Sequence, residues 1–166
     1  MEKDIILRAE DLYRLNIVLT AILDSSQAEL AMIINKSGRL ITWQAESSAY
    51  DTISIAALVT GSFASSSSVA NLIGEDEFAS MYQEGTNTHV YIAQIDESNI
   101  LTLVFTGRTK LNRVKLGIEN NRGSLVPTLA KIYQGVHNDP FLNLDVSSYQ
   151  SQPEQGPHPQ QAPQAQ

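Results

Sequence analysis

Catalysis needs a nucleophile, a base or a ligand set within reach of one another, so the histidines, serines and clustered acids are considered first. The histidines are His89, His137 and His158, and none lies where a neighbouring nucleophile and carboxylate can be argued. The run Ser65 to Ser68 sits in a stretch without a base. The acids Glu75-Asp76-Glu77 have no histidine or further acid at ligand spacing, which makes them a solvated turn rather than a metal site. No GxxxxGK[ST] or GxGxxG run could cradle a phosphate. Cysteine is absent, removing disulfides, thiolate ligands and cysteine nucleophiles. The expectation is a protein with no catalytic residue, no metal and no cofactor of its own.

The serines belong to a longer element. Thr52 to Ile73 reads as an α-helix capped by Asp51 or Thr52 at its start and Gly74 at its end. Ile55, Leu58, Val59, Phe63, Val69, Leu72 and Ile73 fall toward one side, the stripe of a buried face. The other side carries Ala57, Thr60, Gly61, Ala64, Ser68 and Asn71, with Ser65 and Ser67 beside them, and no ionisable residue. An exposed helix face ordinarily carries charge, so a smooth row of small residues implies that something packs closely on it. Serine's modest helix propensity leaves a loop as the alternative.

Composition sets the frame. A chain of 166 residues suits one domain with a real core. It contains no run of 18 apolar residues, and acids follow closely on the short apolar run near the N-terminus, so neither a membrane span nor a signal peptide is expected. Net charge is −7, unevenly placed. Between Leu40 and Gly107 there is no Lys or Arg but there are eight acids, which would repel nucleic acid. From Arg108 to Lys131 the sign reverses, with six basic residues against Glu119. That segment reads as a solvated helix face, the alternative being a surface for an anionic partner.

Taken in order, a short lead from Ile5 to Leu7 precedes a helix at Glu10 to Leu23, where Leu12, Leu15, Val18, Leu19 and Ile22 recur at helical spacing. Leu30 to Ile34 and Arg39 to Ala45 form a hairpin about Asn35-Lys36-Ser37-Gly38. After the central helix, Phe78 to Glu84, His89 to Ile95 and Ile100 to Thr106 read as strands, the last two apolar on both faces and so covered on both sides. Thr109 can cap a last helix that Gly123 and Pro127 should kink, or split with Ser124 capping the second piece. Residues 1–135 form the expected domain. From 136 to 166 the chain holds five of the six prolines and seven glutamines, a tail expected to be disordered except for a cluster at Pro140, Phe141, Leu142 and Leu144, read either as a short docking segment or as a last piece of chain resting on its own domain.

The order helix, two strands, helix, three strands, helix, with Leu40-Ile41 after the first turn, resembles the Roadblock family of dynein light-chain-like proteins. Within it, Asp51-Thr52, Leu58, Gly61, Leu72-Ile73-Gly74-Glu75, Glu77-Phe78, Glu84-Gly85 and Arg108-Thr109 are similar to the bacterial MglB branch. The likeness spans roughly residues 5 to 135. It implies an α/β fold: an α-β-β-α-β-β-β-α sandwich with a five-stranded, mainly antiparallel sheet, the central helix on one face and two helices on the other. It further implies a homodimer whose central helices pair antiparallel and whose middle strands join edge to edge, with Phe63, Ser67, Phe78, Met81, Tyr82 and Glu84 at the interface. The paired helices would bind a Ras-like small GTPase of the MglA type through Ala57, Thr60, Gly61, Ala64, Ser65, Ser68 and Asn71, and accelerate its GTP hydrolysis.

The helix offers no arginine to the transferring phosphoryl group, so activation would work by holding the partner's switch loops in the hydrolytic arrangement. The tail lacks the acidic amphipathic helix that promotes nucleotide exchange in some relatives, which favours hydrolysis activation over exchange. The resemblance also implies a cytoplasmic protein, concentrated at a cell pole, in polarity or gliding motility control. Two rival readings are a dimeric Roadblock adaptor without effect on hydrolysis and a PAS-type small-molecule sensor. The second needs an apolar pocket with inward polar groups, whereas these polar residues sit outside a helix.

Overall fold

The computed structural model describes residues 7–47 and 49–134. Eight elements run in the order α1 (Ala9–Ser26), β1 (Leu30–Asn35), β2 (Leu40–Ala45), α2 (Thr52–Leu72), β3 (Ser80–Glu84), β4 (Thr88–Gln94), β5 (Asn99–Thr106) and α3 (Leu111–Gln134). The strands form one sheet in the order β2-β1-β5-β4-β3, and every neighbouring pair is antiparallel. The β1–β2 turn forms because Asn35 Oδ1 accepts the Ser37 N–H and Gly38 takes a φ of +93°, a value glycine adopts without strain.

Helices cover both faces, as the two-sided apolar pattern of β4 and β5 requires. Leu15, Leu19 and Ile22 of α1 and Val114, Ile118, Leu125 and Leu129 of α3 bury one face with Ile33, Leu101, Leu103 and Phe105. Ala56, Val59 and Phe63 of α2 bury the other with Leu30, Met32, Ile34, Ile92, Ile100 and Val104. Each fully buried aliphatic or phenyl side chain contributes roughly 1.5–3 kcal/mol. α1 and α3 approach so closely that a Cβ on Gly117 would stand 2.8 Å from the Ser26 Cβ, which requires glycine there.

Several expectations are corrected. α3 is one uninterrupted helix from Leu111 to Gln134 with Pro127 inside it. The proline lies on the exposed side while Leu125, Leu129 and Ile132 are buried, so packing holds the helix together across the missing N–H. Thr109 does not cap α3; its hydroxyl donates to the Gln27 carbonyl at 2.9 Å and ties α3's entry to the end of α1. β3 begins at Ser80, leaving Phe78 in the preceding loop. Glu77 is not simply solvated: its carboxylate accepts from Lys36 Nζ at 2.6 Å. The basic stretch is partly turned inward, since Arg113 Nε donates to the Ser25 carbonyl, Arg122 donates to the Ile95 carbonyl, and Lys115 lies over the Tyr91 ring. The expected lead at Ile5 and the tail, with Pro140, Phe141, Leu142 and Leu144, lie outside the described residues.

Candidate functional site

α2 is fixed at both ends by local chemistry. The Asp51 carboxylate accepts from the Ser54 N–H and hydroxyl, and these bonds hold its pKa below the usual carboxylate value. At the far end the Glu75 N–H donates to the Ala70 carbonyl and Gly74 N–H to that of Asn71, with Gly74 at a φ of +86°. Those two bonds and the left-handed glycine make a Schellman ending.

Between the caps the four serines are helical, and three of their hydroxyls are satisfied on the helix itself. Ser65 donates to the Gly61 carbonyl, Ser66 and Ser67 donate to that of Phe63, and Asn71 Nδ2 donates to that of Ser67. Hydrogen-bonding capacity thus turns back into the helix and the outer surface is left smooth. A Cβ built on Gly61 would meet nothing within 4 Å. The chain itself therefore leaves open space above the middle of α2.

The orientation of α2 differs from the periodicity expectation. Small residues face the sheet: Thr52, Ala56, Thr60 and Ala70 are buried beside Val59 and Phe63, and the helix lies against β1 and β2. Large ones point away, with Leu58 74% and Leu72 86% exposed and Ile53, Val69 and Ile73 also exposed. Leu58, Val69, Leu72 and Ile73 are therefore not part of the inner face that the periodicity implied. Because α2 is uncharged all round and its large apolar residues are spread about its axis, hydrophobic spacing cannot choose its inner side; the close approach to β1 and β2 selects the small side chains. By length and composition α2 could cross a membrane. Here its inner face fills the core instead.

Of the residues expected to meet a GTPase, Ala57, Gly61, Ala64, Ser65, Ser68 and Asn71 share the exposed face, and Thr60 lies underneath. Its hydroxyl donates to the Ala56 carbonyl. Of those expected at a dimer interface, Phe63 is only 3% exposed and fills the chain's own core. Ser67 and Phe78 are half-buried, Tyr82 and Glu84 are exposed on β3, and Met81 packs partly under α2. β3 pairs with β4 alone, so its other edge is open among the described residues. Gln83 Nε2 donates to Ser62 Oγ at 3.2 Å, fastening this edge strand to α2. Tyr82 stacks on Phe105, its ring centroid 6.3 Å away. The exposed Ile53, Leu58, Val69 and Leu72 belong to the candidate face although sequence reasoning left them out of it. The signal was present in the lack of any charge from Thr52 to Leu72.

Nothing in this region resembles a reaction centre. His89 is buried against Tyr82 and Phe105, with Nδ1 lacking a hydrogen-bond partner. No group of three or more metal-ligating side chains occurs among the described residues.

Residues 15–105 match the family model described as the Roadblock/LC7 domain. No curated protein sequence matches the chain. Among solved structures it is similar to "Myxococcus xanthus MglB", at 27% identity and a TM-score of 0.70 over 76% of this chain and 96% of that one. It is also similar to the gliding protein MglB from Thermus thermophilus, at 25% identity and a TM-score of 0.72 over 79% and 99%. A Roadblock/LC7 domain from Streptomyces avermitilis shares the fold at 13% identity and a TM-score of 0.62, over 69% and 96%.

Proposed function

This chain belongs to the Roadblock/LC7 family, and from that premise we propose that it is a homodimeric regulator of a Ras-like small GTPase of the MglA type. The observation that carries the reading is the outer face of α2. Over 21 residues it has no charge, it exposes Ile53, Leu58, Val69 and Leu72, and it leaves open space over Gly61. A face of that kind is costly to leave in water and cheap to cover with another protein.

Two copies would join through the open edge of β3 and the adjacent side of α2, with Met81, Tyr82 and Glu84 at the edge. The paired helices would then present Ala57, Gly61, Ala64, Ser65, Ser68 and Asn71 to the GTPase. Phe63 and Thr60 support the platform from beneath. α2 carries no arginine, and Lys36, which lies beside its exit, is held by Glu77. Acceleration of hydrolysis therefore comes from binding the hydrolytic arrangement of the partner's switch loops more tightly than the others, leaving the chemistry to the GTPase's own residues. The protein is a regulator without a catalytic site of its own, acting in the cytoplasm and concentrated at a cell pole, in polarity or gliding motility.

The test is GTP turnover by the MglA-type GTPase of the same organism, with and without this chain. Stimulation that disappears with Ala64→Arg or Ser68→Arg, each still folded, supports the reading. A complex seen by size-exclusion chromatography without stimulation would instead make the protein a Roadblock adaptor.

A further inference from the structure

The basic stretch after β5 has no part in the function proposed above. From Ser98 to Ile118 there is no acid, and Arg108, Lys110, Arg113 and Lys115 fall within eight residues of a chain whose net charge is −7. All four are exposed. Arg113 Nε donates to the Ser25 carbonyl, and the Lys115 ammonium lies 5.6 Å from the centre of the Tyr91 ring; these contacts hold the two side chains in place without neutralising them. Three acids belong to neighbouring parts of the fold: Glu119, which pairs with Arg122, Asp24 beside Ser25, and Glu84 at the end of β3. The patch lies on the face of the sheet opposite α2. There α1 rests on β1 and β2, whereas α3 lies over β4, with Arg122 donating to the Gln94 and Ile95 carbonyls.

We propose that the start of α3 is a contact surface for an anionic lipid bilayer, with Arg108, Lys110, Arg113 and Lys115 at the headgroup phosphates. Charge complementarity supplies the attraction, since each Lys or Arg close to an anionic bilayer raises partitioning roughly fivefold. The shape favours lipid over an acidic protein. A convex helix face suits a fluid surface whose anions can gather around fixed cations, whereas a folded partner would have to match its outline. Leu116, 61% exposed and one turn on from Arg113, adds an apolar side chain at headgroup depth. The contact is peripheral and hydrated, and it leaves α2 on the far face uncovered. Because α3 lies on the β3 half of the sheet, two copies joined through β3 would carry two such patches on one side. No GTPase is needed, so the inference stands or falls apart from that partner.

Co-sedimentation of the full chain with vesicles tests this. A protein of net charge −7 is repelled by an anionic surface unless a local patch outweighs the sum. Partitioning into vesicles of phosphatidylcholine with about one-third phosphatidylglycerol should exceed that into phosphatidylcholine alone at least about tenfold. It should vanish in about 1 M salt, where charges are screened beyond roughly 3 Å. Arg108→Gln with Lys110→Gln, two exposed positions ahead of α3, should weaken binding about 25-fold. Arg14→Gln with Lys131→Gln alters the net charge equally but far from the start of α3, and should change binding less than about twofold. Equal partitioning into the two kinds of vesicle, or equal loss from the two pairs of substitutions, would overturn the proposal. Retention on polyglutamate beads without vesicle binding would assign the patch to an acidic protein and overturn it as well.

Discussion

α2 and α3 are long helices on opposite faces of one sheet, and their outer surfaces differ. Along its 24 residues α3 carries Arg113, Lys115, Glu119, Arg122 and Lys131, and Leu116, 61% exposed, sits among charges. α2 carries none over 21 residues and exposes four large apolar side chains along its length. Both inner faces are ordinary core. Only the outer faces diverge: one is built for water, the other for a protein surface. The helix that looks most thoroughly buried by composition is therefore the one that this chain leaves most open.

The largest expected effects concern the inner faces and should show no difference between the helices. Phe63→Ala under α2 and Leu129→Ala under α3 each should cost about 2–5 kcal/mol by chemical denaturation. A Phe63→Ala loss below about 1 kcal/mol would mean that α2 is loosely held and that the contrast misplaces its core.

Next come the outer faces, where the helices should part. Ala64→Arg should weaken GTPase binding by more than about 2 kcal/mol, the cost of losing a central contact, while Leu116→Arg changes it by less than about 0.5 kcal/mol; calorimetric titration measures both. Equal effects would end the distinction.

A smaller and sharper comparison uses Gly61 and Gly123. Both lie exposed in mid-helix, and a Cβ on either would meet nothing within 4 Å. Replacing either with leucine should stabilise the isolated fold by up to about 1 kcal/mol through helix propensity. Only Gly61→Leu should weaken association, since only there does a partner need close approach. Thermal melts at low protein concentration, set beside binding measurements, separate the two.

The smallest effect is at the α2 cap. Asp51→Ala should destabilise the fold at neutral pH by removing the cap of α2. Because its bonds from Ser54 lower the folded-state pKa of Asp51, the contribution is present above the ordinary carboxylate value and fades as pH falls through the lowered one. Denaturation curves of the two proteins should accordingly converge under acid conditions.

The elements were legible because their signals are local. The Asn35 to Gly38 turn, the alternation in β4 and β5, and the Asp51 and Gly74 caps each depend on a few adjacent residues. What escaped depends on distant parts of the chain. Spacing placed Leu58, Val69, Leu72 and Ile73 inside, although the sheet accepts Ala56, Thr60 and Ala70 there, because an uncharged helix offers no polar side to orient it. Pro127 signalled a break, but Leu125, Leu129 and Ile132 are all buried and keep α3 whole. Thr109 looked like a cap until Gln27, 82 positions away, was found to accept its hydroxyl. The uncharged, small-residue surface itself was visible from the start; which large residues border it was not.

The most direct test reads side-chain exposure in solution. Hydroxyl-radical footprinting of the full chain, alone and with its GTP-loaded GTPase, compares Leu58 on α2 with Leu116 on α3, residues of one type that are 74% and 61% exposed in the single chain. The account predicts that Leu116 reacts freely throughout, while Leu58 is protected several-fold and Ala57 to Asn71 gain protection when the GTPase is added. Leu58 reacting as fast as Leu116 under both conditions would show that α2 faces water like α3, and the partner-binding face would have to be given up.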